Sequence, residues 1–471
     1  MKEQVRSYGS LGSRTARGML LLGLSLGYFM VLLDMTVVTV ALPAIRQTLG
    51  GGLVGLQWVV NAYTIVFAGL LLAMGALCDR LGAKRVYLGG LGLFLAASAL
   101  SAASGSLGML IAMRALLGAG GAALMPASLA LLSHRFQEPA QKARALGVWA
   151  AVTGTAMAAG PVAGGFLADL LGWRSIFMLQ VPLALISFMI TAVLIRETPR
   201  RPGQGMDIGG QLAAAAGVVS LSLAIMEGQE WGWGSPWVLA AWTAAVLSLA
   251  VFIRLEAKGR MPMLPLTLFR SPTISAGMLA GMLVNIALSG ILFVIPLYFQ
   301  QGLGYSAHAA GLILLPMTIP MAVNPVLTGR LVSRIGARAP MTAGFMLAAC
   351  GTLLQAGGMD GAYHGLMLAG LLLTGFGISL TIPALMAAVI GASPKELTGA
   401  ASGALHTSRQ LGAAIGVAVL GAIINGSVTW SDGMHSGLFA AAALLLLGGV
   451  LSFAYIGTKR RDSAAGEEAA R

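Results

Sequence analysis

Gly75-Ala-Leu-Cys-Asp79-Arg80-Leu-Gly82-Ala83-Lys84 returns later in the chain as Gly329-Arg-Leu-Val-Ser333-Arg334-Ile-Gly336-Ala337-Arg338. Gly75 matches Gly329, Leu77 matches Leu331, Arg80 matches Arg334, Gly82 matches Gly336, Ala83 matches Ala337 and Lys84 matches Arg338, all at one offset of 254. Two stretches of this chain therefore share an ancestor. Each copy is a short basic loop between two long apolar runs, so the repeat fixes corresponding points in two similar halves.

The apolar runs recur along the whole chain. With 57% hydrophobic residues, 10% charged and 65 glycines in 471 residues, stretches of 18 or more are each long enough to cross about 30 Å of hydrocarbon as a helix. They are expected at 18–42, 54–78, 85–104, 107–133, 143–168, 174–195, 208–227, 236–254, 273–299, 307–330, 339–357, 362–390, 397–425 and 435–457. The fold class is an all-α polytopic membrane protein with 14 transmembrane helices. Each repeat follows the second helix of a six-helix set, giving a bundle over 1–195, a linker with two inserted helices over 196–254, and a second bundle with a short tail over 255–471. Transporters with internal repeats hold substrate between such halves near the midplane.

Charge placement sets the expected orientation. With the N-terminus inside, 25 of the 29 lysines and arginines fall in inner segments; Arg46 and Arg174 lie outside, and Arg114 and Arg409 lie within spans. This is the positive-inside pattern, with both termini cytoplasmic. The net charge of +13 sits in short inner loops, which argues against nucleic acid as a partner. Cys78 and Cys350 fall in different spans and form no disulfide or metal pattern. The basic N-terminus resembles a signal peptide's opening, but the first span is too long for one and contains Asp34, so it is expected to be retained.

Of the sixteen acids, only Asp34 lies deep inside a hydrophobic segment. A carboxylate there must pair, face water or take up a proton, which marks it as functional. Arg114 lies at a similar depth on the fourth span, so the two could meet.

The motifs around these residues resemble the major facilitator superfamily. They are Leu33-Asp34-Met-Thr36-Val-Val-Thr-Val-Ala-Leu-Pro43, the Gly75 to Lys84 loop, Leu110-Ile-Ala-Met-Arg114-Ala-Leu-Leu-Gly118-Ala-Gly120, and Gly154 to Gly165 with its Gly160-Pro161 pair. The last looks like the antiporter signature, and fourteen spans resemble the drug/proton antiporter branch of the EmrB/QacA type. Gln301-Gly-Leu-Gly-Tyr305, Ala310-Gly311 and Ser408-Arg409-Gln410-Leu-Gly412 are also similar to that branch. The resemblance implies multidrug or antibiotic efflux by alternating access in the cytoplasmic membrane, driven by the proton gradient without a cofactor. It implies a small lipophilic substrate, cationic or neutral, exchanged for protons by a monomer among membrane lipids; a need for an adaptor protein is left open.

Burial disfavours a charged Asp34 and a neighbouring Arg114 favours it, an opposition suited to proton coupling; the alternative is a permanent ion pair bracing two helices. One such acid implies one proton in per substrate out. Gly75, Asp79, Arg80, Gly82 and Lys84 match the family's conformational latch, and Asp79, at an inner helix end where the dipole is unfavourable, is expected to pair across to the other half. Ala83 replaces the usual basic residue, and Ser333 stands where the second copy would repeat Asp79. Gly154, Gly160, Pro161, Gly164 and Gly165 allow close helix approach and a bend; the resemblance adds a seal against leak. Arg409 either braces helices or contacts substrate, and His406, one turn earlier, is either a second proton site or a hydrogen-bonded core residue. Asn61, Tyr63, Asn285 and Asn324 are polar groups in apolar spans, open to substrate contact or helix-to-helix hydrogen bonds. Trp231, Trp233, Trp237 and Trp430 fit an outer aromatic belt.

An exchanger or importer of a polar metabolite would carry more intramembrane charges and amides. An enzyme would need a cluster of His, Asp or Glu, and a channel a repeated polar filter. The span count is checked by reporter fusions at Lys395 and Asp432, which should read cytoplasmic and external; the same side for both would refute fourteen crossings.

Overall fold

The computed structural model describes residues 13–136, 138–199, 207–259, 266–359, 364–394 and 397–457. Arg200 and Arg201 of the linker, Arg260, Lys395 and the basic ends of the chain lie outside these residues. The first set of helices is α1 Ser13–Leu49, α2 Leu53–Leu81, α3 Ala83–Ala102, α4 Leu107–Arg135, α5 Pro139–Leu171 and α6 Arg174–Leu194. The inserted pair is α7 Ile208–Trp231 and α8 Pro236–Lys258. The second set is α9 Pro272–Leu297, α10 Ala307–Ile313, α11 Leu315–Val323, α12 Pro325–Ile335, α13 Arg338–Gly357, α14 His364–Ala392, α15 Thr398–Asn425 and α16 Trp430–Tyr455.

Thirteen helices among the described residues are long and apolar enough to cross a membrane. The tenth expected crossing, 307–330, is not one helix but three, α10 to α12. Its prolines explain the breaks: Pro316 stands at the start of α11 and Pro325 at the start of α12, and proline removes a backbone donor and crowds the preceding turn. The repeat is visible in the backbone as well. Gly82 (φ 98°) separates α2 from α3, and Gly336 (φ 85°) separates α12 from α13, both in the region that favours glycine.

Lipid is as apolar as a leucine side chain, so helices in a membrane associate through close packing rather than through expulsion of water. Small residues provide that closeness. A Cβ on Gly164 would stand 2.6 Å from the Val37 carbonyl oxygen, and one on Gly160 would fall on the Thr36 hydroxyl, so α5 lies tightly on α1. On another side of α5, a Cβ on Gly154 would come within 2.8 Å of Ala322, and one on Gly165 would meet the backbone of Ala307 and His308. One helix thus serves both sets.

The two sets meet at the end that carries Gly50. There Arg46 donates to Gln301 at 2.9 Å, Gln300 donates to the Val40 carbonyl at 2.9 Å, and Asp169 accepts from the backbone N–H of Ala307 at 3.1 Å and of His308 at 2.8 Å. Gln57 donates to the carbonyls of Val417 at 2.9 Å and Ala418 at 3.0 Å. Toward the Gly82 end the sets diverge: α10 and α11 pack on α5, but α12, their continuation, packs on α13 and α14. The inserted pair leans on α2 and α15 through α7, while α8 turns Leu239, Val246, Leu247 and Leu249 outward.

Gly164→Val should cost roughly 1–3 kcal/mol or more of stability by overpacking against backbone and depress the melting temperature of the purified protein. Gly92→Val, on α3 where an added Cβ meets nothing within 4 Å, should leave it unchanged. Equal melting temperatures for the two variants would refute the close α1–α5 approach.

Candidate functional site

Asp34 and Arg114 meet in the interior of the first set, both fully enclosed by protein. Arg114 Nη1 donates to Asp34 Oδ2, and Arg114 Nε donates to the Val59 carbonyl at 2.9 Å. The guanidinium carbon also lies 4.7 Å from the centre of the Tyr63 ring, whose hydroxyl donates to the Val31 carbonyl at 3.1 Å. The second carboxylate oxygen, Oδ1, accepts from Gln180 Nε2 at 2.8 Å, and Gln180 Oε1 accepts from Ser98 Oγ at 3.3 Å. Five helices, α1, α2, α3, α4 and α6, contribute to this one carboxylate network.

The approach of α4 needs glycine. A Cβ on Gly118 would fall on the Tyr63 carbonyl oxygen, and one on Gly121 would stand 2.9 Å from the Tyr63 hydroxyl. A guanidinium, an aromatic face and an amide thus surround a carboxyl group that is closed off from solvent.

Gln180 and Ser98 were missed by sequence reasoning. Gln180 is a lone amide inside an apolar run, Ile176-Phe-Met-Leu-Gln180-Val, and the argument that singled out Asn61 applies equally to it. Ser98 carries no such signal, since a serine can satisfy itself on its own helix.

The loop at Gly82 departs from expectation. Asp79 and Arg80 are exposed, and Asp79 has no hydrogen-bond or ion-pair partner among the described residues. The expected pairing across to the other half is therefore not made among the described residues. The loop is held within its own set instead. Glu197 accepts from the backbone N–H of Lys84 at 2.8 Å and of Arg85 at 3.2 Å, Thr198 Oγ1 accepts from the Ala83 N–H at 2.8 Å, and Lys84 Nζ donates to the Ala192 carbonyl at 2.8 Å. An acid from beyond α6 thus caps the N-terminus of α3, where its charge suits the helix dipole. Gly75 has open space around it.

Three of the polar span residues bond across helices. Asn61 donates to the Ala414 carbonyl and to the Met226 sulfur, both at 3.2 Å, Asn324 donates to Ser379 Oγ at 2.8 Å, and Tyr63 supports Arg114 as described. Asn285 donates to the Gly281 carbonyl of its own helix at 3.0 Å. Each is engaged with protein.

Arg409 and His406 are different. Both lie on α15, half-buried, and among the described residues neither makes a hydrogen bond or an ion pair; the Arg409 Nε is fully buried without an acceptor. The alternative of a hydrogen-bonded core histidine is not realised here. The Arg409 stem packs close to Gly281 of α9. Across from α15, Tyr28 of α1 and Trp149 of α5 stack with ring centres 4.4 Å apart and planes 5° from parallel.

Two further spaces are defined. A vestibule of about 590 Å³ at the Gly50 end is bordered by Arg46, Gln47, Asp169, Gln300, Gln301 and Tyr305. A crevice of about 530 Å³ lies between the inserted pair and α2, α9 and α15, with Gly69, Val218, Trp242, Met282 and Thr407 on its walls.

Comparison with known proteins bears on what such a chain does. A family profile described as Major Facilitator Superfamily matches residues 24–417 and 277–471. The chain is 37% identical over 435 residues, 92% of each chain, to the methylenomycin A resistance protein of Bacillus subtilis (strain 168). It is 36% identical over 405 residues, 86% of this chain and 75% of the relative, to the multidrug resistance protein Stp of Mycobacterium tuberculosis (strain CDC 1551 / Oshkosh). Among solved structures, a D-xylose-proton symporter superposes with a TM-score of 0.69 at 14% identity, covering 93% of this chain and 98% of that one. At that identity the likeness speaks for the fold.

The buried pair makes a distinct energetic prediction. Asp34→Leu strands a guanidinium that cannot shed its proton, at a cost of about 3–5 kcal/mol. Adding Arg114→Met should restore most of it, because a buried pair replaced by apolar groups is close to neutral. Denaturant unfolding of the purified single and double variants reads this directly; additive losses would mean that the pair itself stabilises the bundle.

Proposed function

This chain belongs to the major facilitator superfamily, and we propose that it exports small lipophilic drug-like molecules by alternating access, coupled to protons at Asp34. It is a secondary transporter rather than an enzyme. The observation that carries the coupling is the enclosed Asp34–Arg114–Gln180 network: a carboxylate deep in a span, held charged by donors from two other helices. Any rearrangement that withdraws Arg114 or Gln180 leaves the carboxylate in an apolar site, where it gains a proton. The likeness to relatives named for resistance to methylenomycin A and for multidrug resistance supports the drug-like substrate.

We place both termini and the Gly82 end in the cytoplasm, on the positive-inside pattern. In that orientation the sealed Gly50 end is external and the parted end faces the cytoplasm, the arrangement in which an exporter loads. Gly75, Asp79, Arg80, Gly82 and Lys84 then act at the cytoplasmic end, where Asp79 is free to engage the other half once that end closes. Gly154, Gly160, Pro161, Gly164 and Gly165 let α5 pivot between α1 and the broken α10–α11 segment. The division of the chain at 195 and 254 follows the same scheme, and the cycle needs no cofactor beyond the proton gradient. With one carboxylate in the network, one proton enters per substrate exported.

In an efflux-deficient host, the wild type should raise resistance to a drug panel several-fold, and Asp34→Asn should return it to the empty-vector level. Arg114→Lys should keep part of the activity and Arg114→Ala none, since an ammonium offers charge without the planar fork. Full resistance with Asp34→Asn would remove Asp34 from the coupling mechanism.

A further inference from the structure

We propose that the substrate carried between the halves is a lipophilic anion, bound through its charged group by Arg409. The inference rests on the export reading and adds to it the charge of the cargo. Arg409 is the twelfth residue of α15, roughly 17 Å along the helix from its start and so near its middle. Only two arginines or lysines lie deep within the expected spans, away from their ends, and the structure treats them in opposite ways. Arg114 has a carboxylate, a backbone carbonyl and an aromatic face. Arg409 has no hydrogen bond, ion pair or stacked ring among the described residues, and its Nε is buried with no acceptor.

A guanidinium does not shed its proton, and leaving one unpaired in an apolar interior is costly. A bracing role would require acceptors on neighbouring helices, and the described residues present none to it. A binding role leaves the donors open until the ligand arrives.

The surroundings suit a small anion with an apolar body. His406 stands one turn earlier on the same face of α15. The Tyr28 phenol is within electrostatic reach of the guanidinium and is stacked on Trp149. Gln410, the next residue, approaches the Met35 sulfur at 4.0 Å, so α1 and α15 are adjacent at the depth of this site. A planar carboxylate on the guanidinium and an apolar body against the aromatic pair would bridge the two halves, which a carried substrate must do.

Charge balance points the same way. Within the two helix sets Asp34 and Arg114 cancel and Arg409 leaves one positive charge; the buried carboxylate of Glu256 belongs to α8 of the inserted pair. A monoanion neutralises Arg409, whereas a monocation would place a second positive charge in a low-dielectric space. Of the cationic and neutral substrates expected from the family resemblance, the cation is disfavoured by this site.

The test is equilibrium binding to the purified full-length protein with three probes: 1-naphthoate, its methyl ester, and tetraphenylphosphonium. The wild type should bind naphthoate about tenfold more tightly than the ester, the increment expected of a charged hydrogen bond. Arg409→Gln should lose that preference, leave ester binding within about twofold, and bind tetraphenylphosphonium more tightly; Arg409→Lys should retain part of the preference. The melting temperature of Arg409→Gln should not fall, since no partner is orphaned. The proposal is overturned if the wild type shows no preference for naphthoate, including by binding neither probe. It is equally overturned if Arg409→Gln weakens all three probes alike and lowers the melting temperature, which would mark a bracing residue. Resistance assays with neutral and cationic drugs separate the two readings: export that survives in Arg409→Gln, without a carboxylate preference in the wild type, leaves efflux standing and removes the anion. Sensitivity equal to the empty vector across the whole panel removes efflux itself.

Discussion

Everything in the first bundle is arranged around a carboxylate that has no water. Asp34 is accommodated inside α1 because α4 delivers a guanidinium to one oxygen and α6 delivers an amide to the other. Each donor is itself held: Arg114 by the Val59 carbonyl and the Tyr63 ring, Gln180 by Ser98. The glycines at 118 and 121 exist in this account to let α4 approach α2 closely enough for that reach. A group whose charge state depends on donors from several helices senses how those helices are placed. Under the proposed coupling, that dependence is what would allow a proton to be exchanged for a conformational change.

The two sets of helices touch through surfaces that differ in kind. At the Gly50 end, amides and an acid bond to backbone groups across the boundary, with Gln57, Gln300 and Asp169 as the main contributors. Such bonds are few and individually modest. Between the ends, contact is through α5, whose glycines bring its backbone against α1 on one side and against α10 and α11 on the other. The proline-broken crossing opposite α5 is the irregular partner of a glycine-rich helix. Backbone freed by breaks of this kind is tolerated in a membrane where it is buried in protein. The Gly82 loop, by contrast, is bound to its own set by Glu197.

How much of this could be read in advance depended on whether a residue had to explain itself alone. Asp34 and Arg114 could be paired from depth along their helices, because a charge in hydrocarbon admits few solutions. The repeat was legible because Gly82 and Gly336 hold a backbone conformation other residues avoid. The crossing at 307–330 was read as one helix although its prolines at 316, 320 and 325 were in view, since apolar length outweighed the local breaks. Gln180 was overlooked because an amide is a weaker anomaly than a charge. Glu197 was invisible for another reason: an acid in a basic loop looks solvated, and its role depends on the α3 N-terminus, more than a hundred residues away. The expected pairing of Asp79 across the halves is not made in this structure, where Asp79 is exposed.

The two charged sites together constrain the energetics of a cycle. If Asp34 carries one proton inward and Arg409 releases one anion outward, each turn moves two charges in the same electrical sense. An inside-negative potential then contributes about 4.6 kcal/mol per 100 mV, twice the value for one charge, and a pH gradient adds about 1.4 kcal/mol per unit for the proton. A monocation on the same carrier would move no net charge and draw on the pH gradient alone. A positive residue in the binding region and a single proton site therefore favour the same cargo for independent reasons, one through binding and the other through the driving force. The separation of the sites follows from this division of labour. Under the proposed cycle Arg114 is sequestered to control Asp34, and Arg409 is left without a partner so that the cargo can supply one.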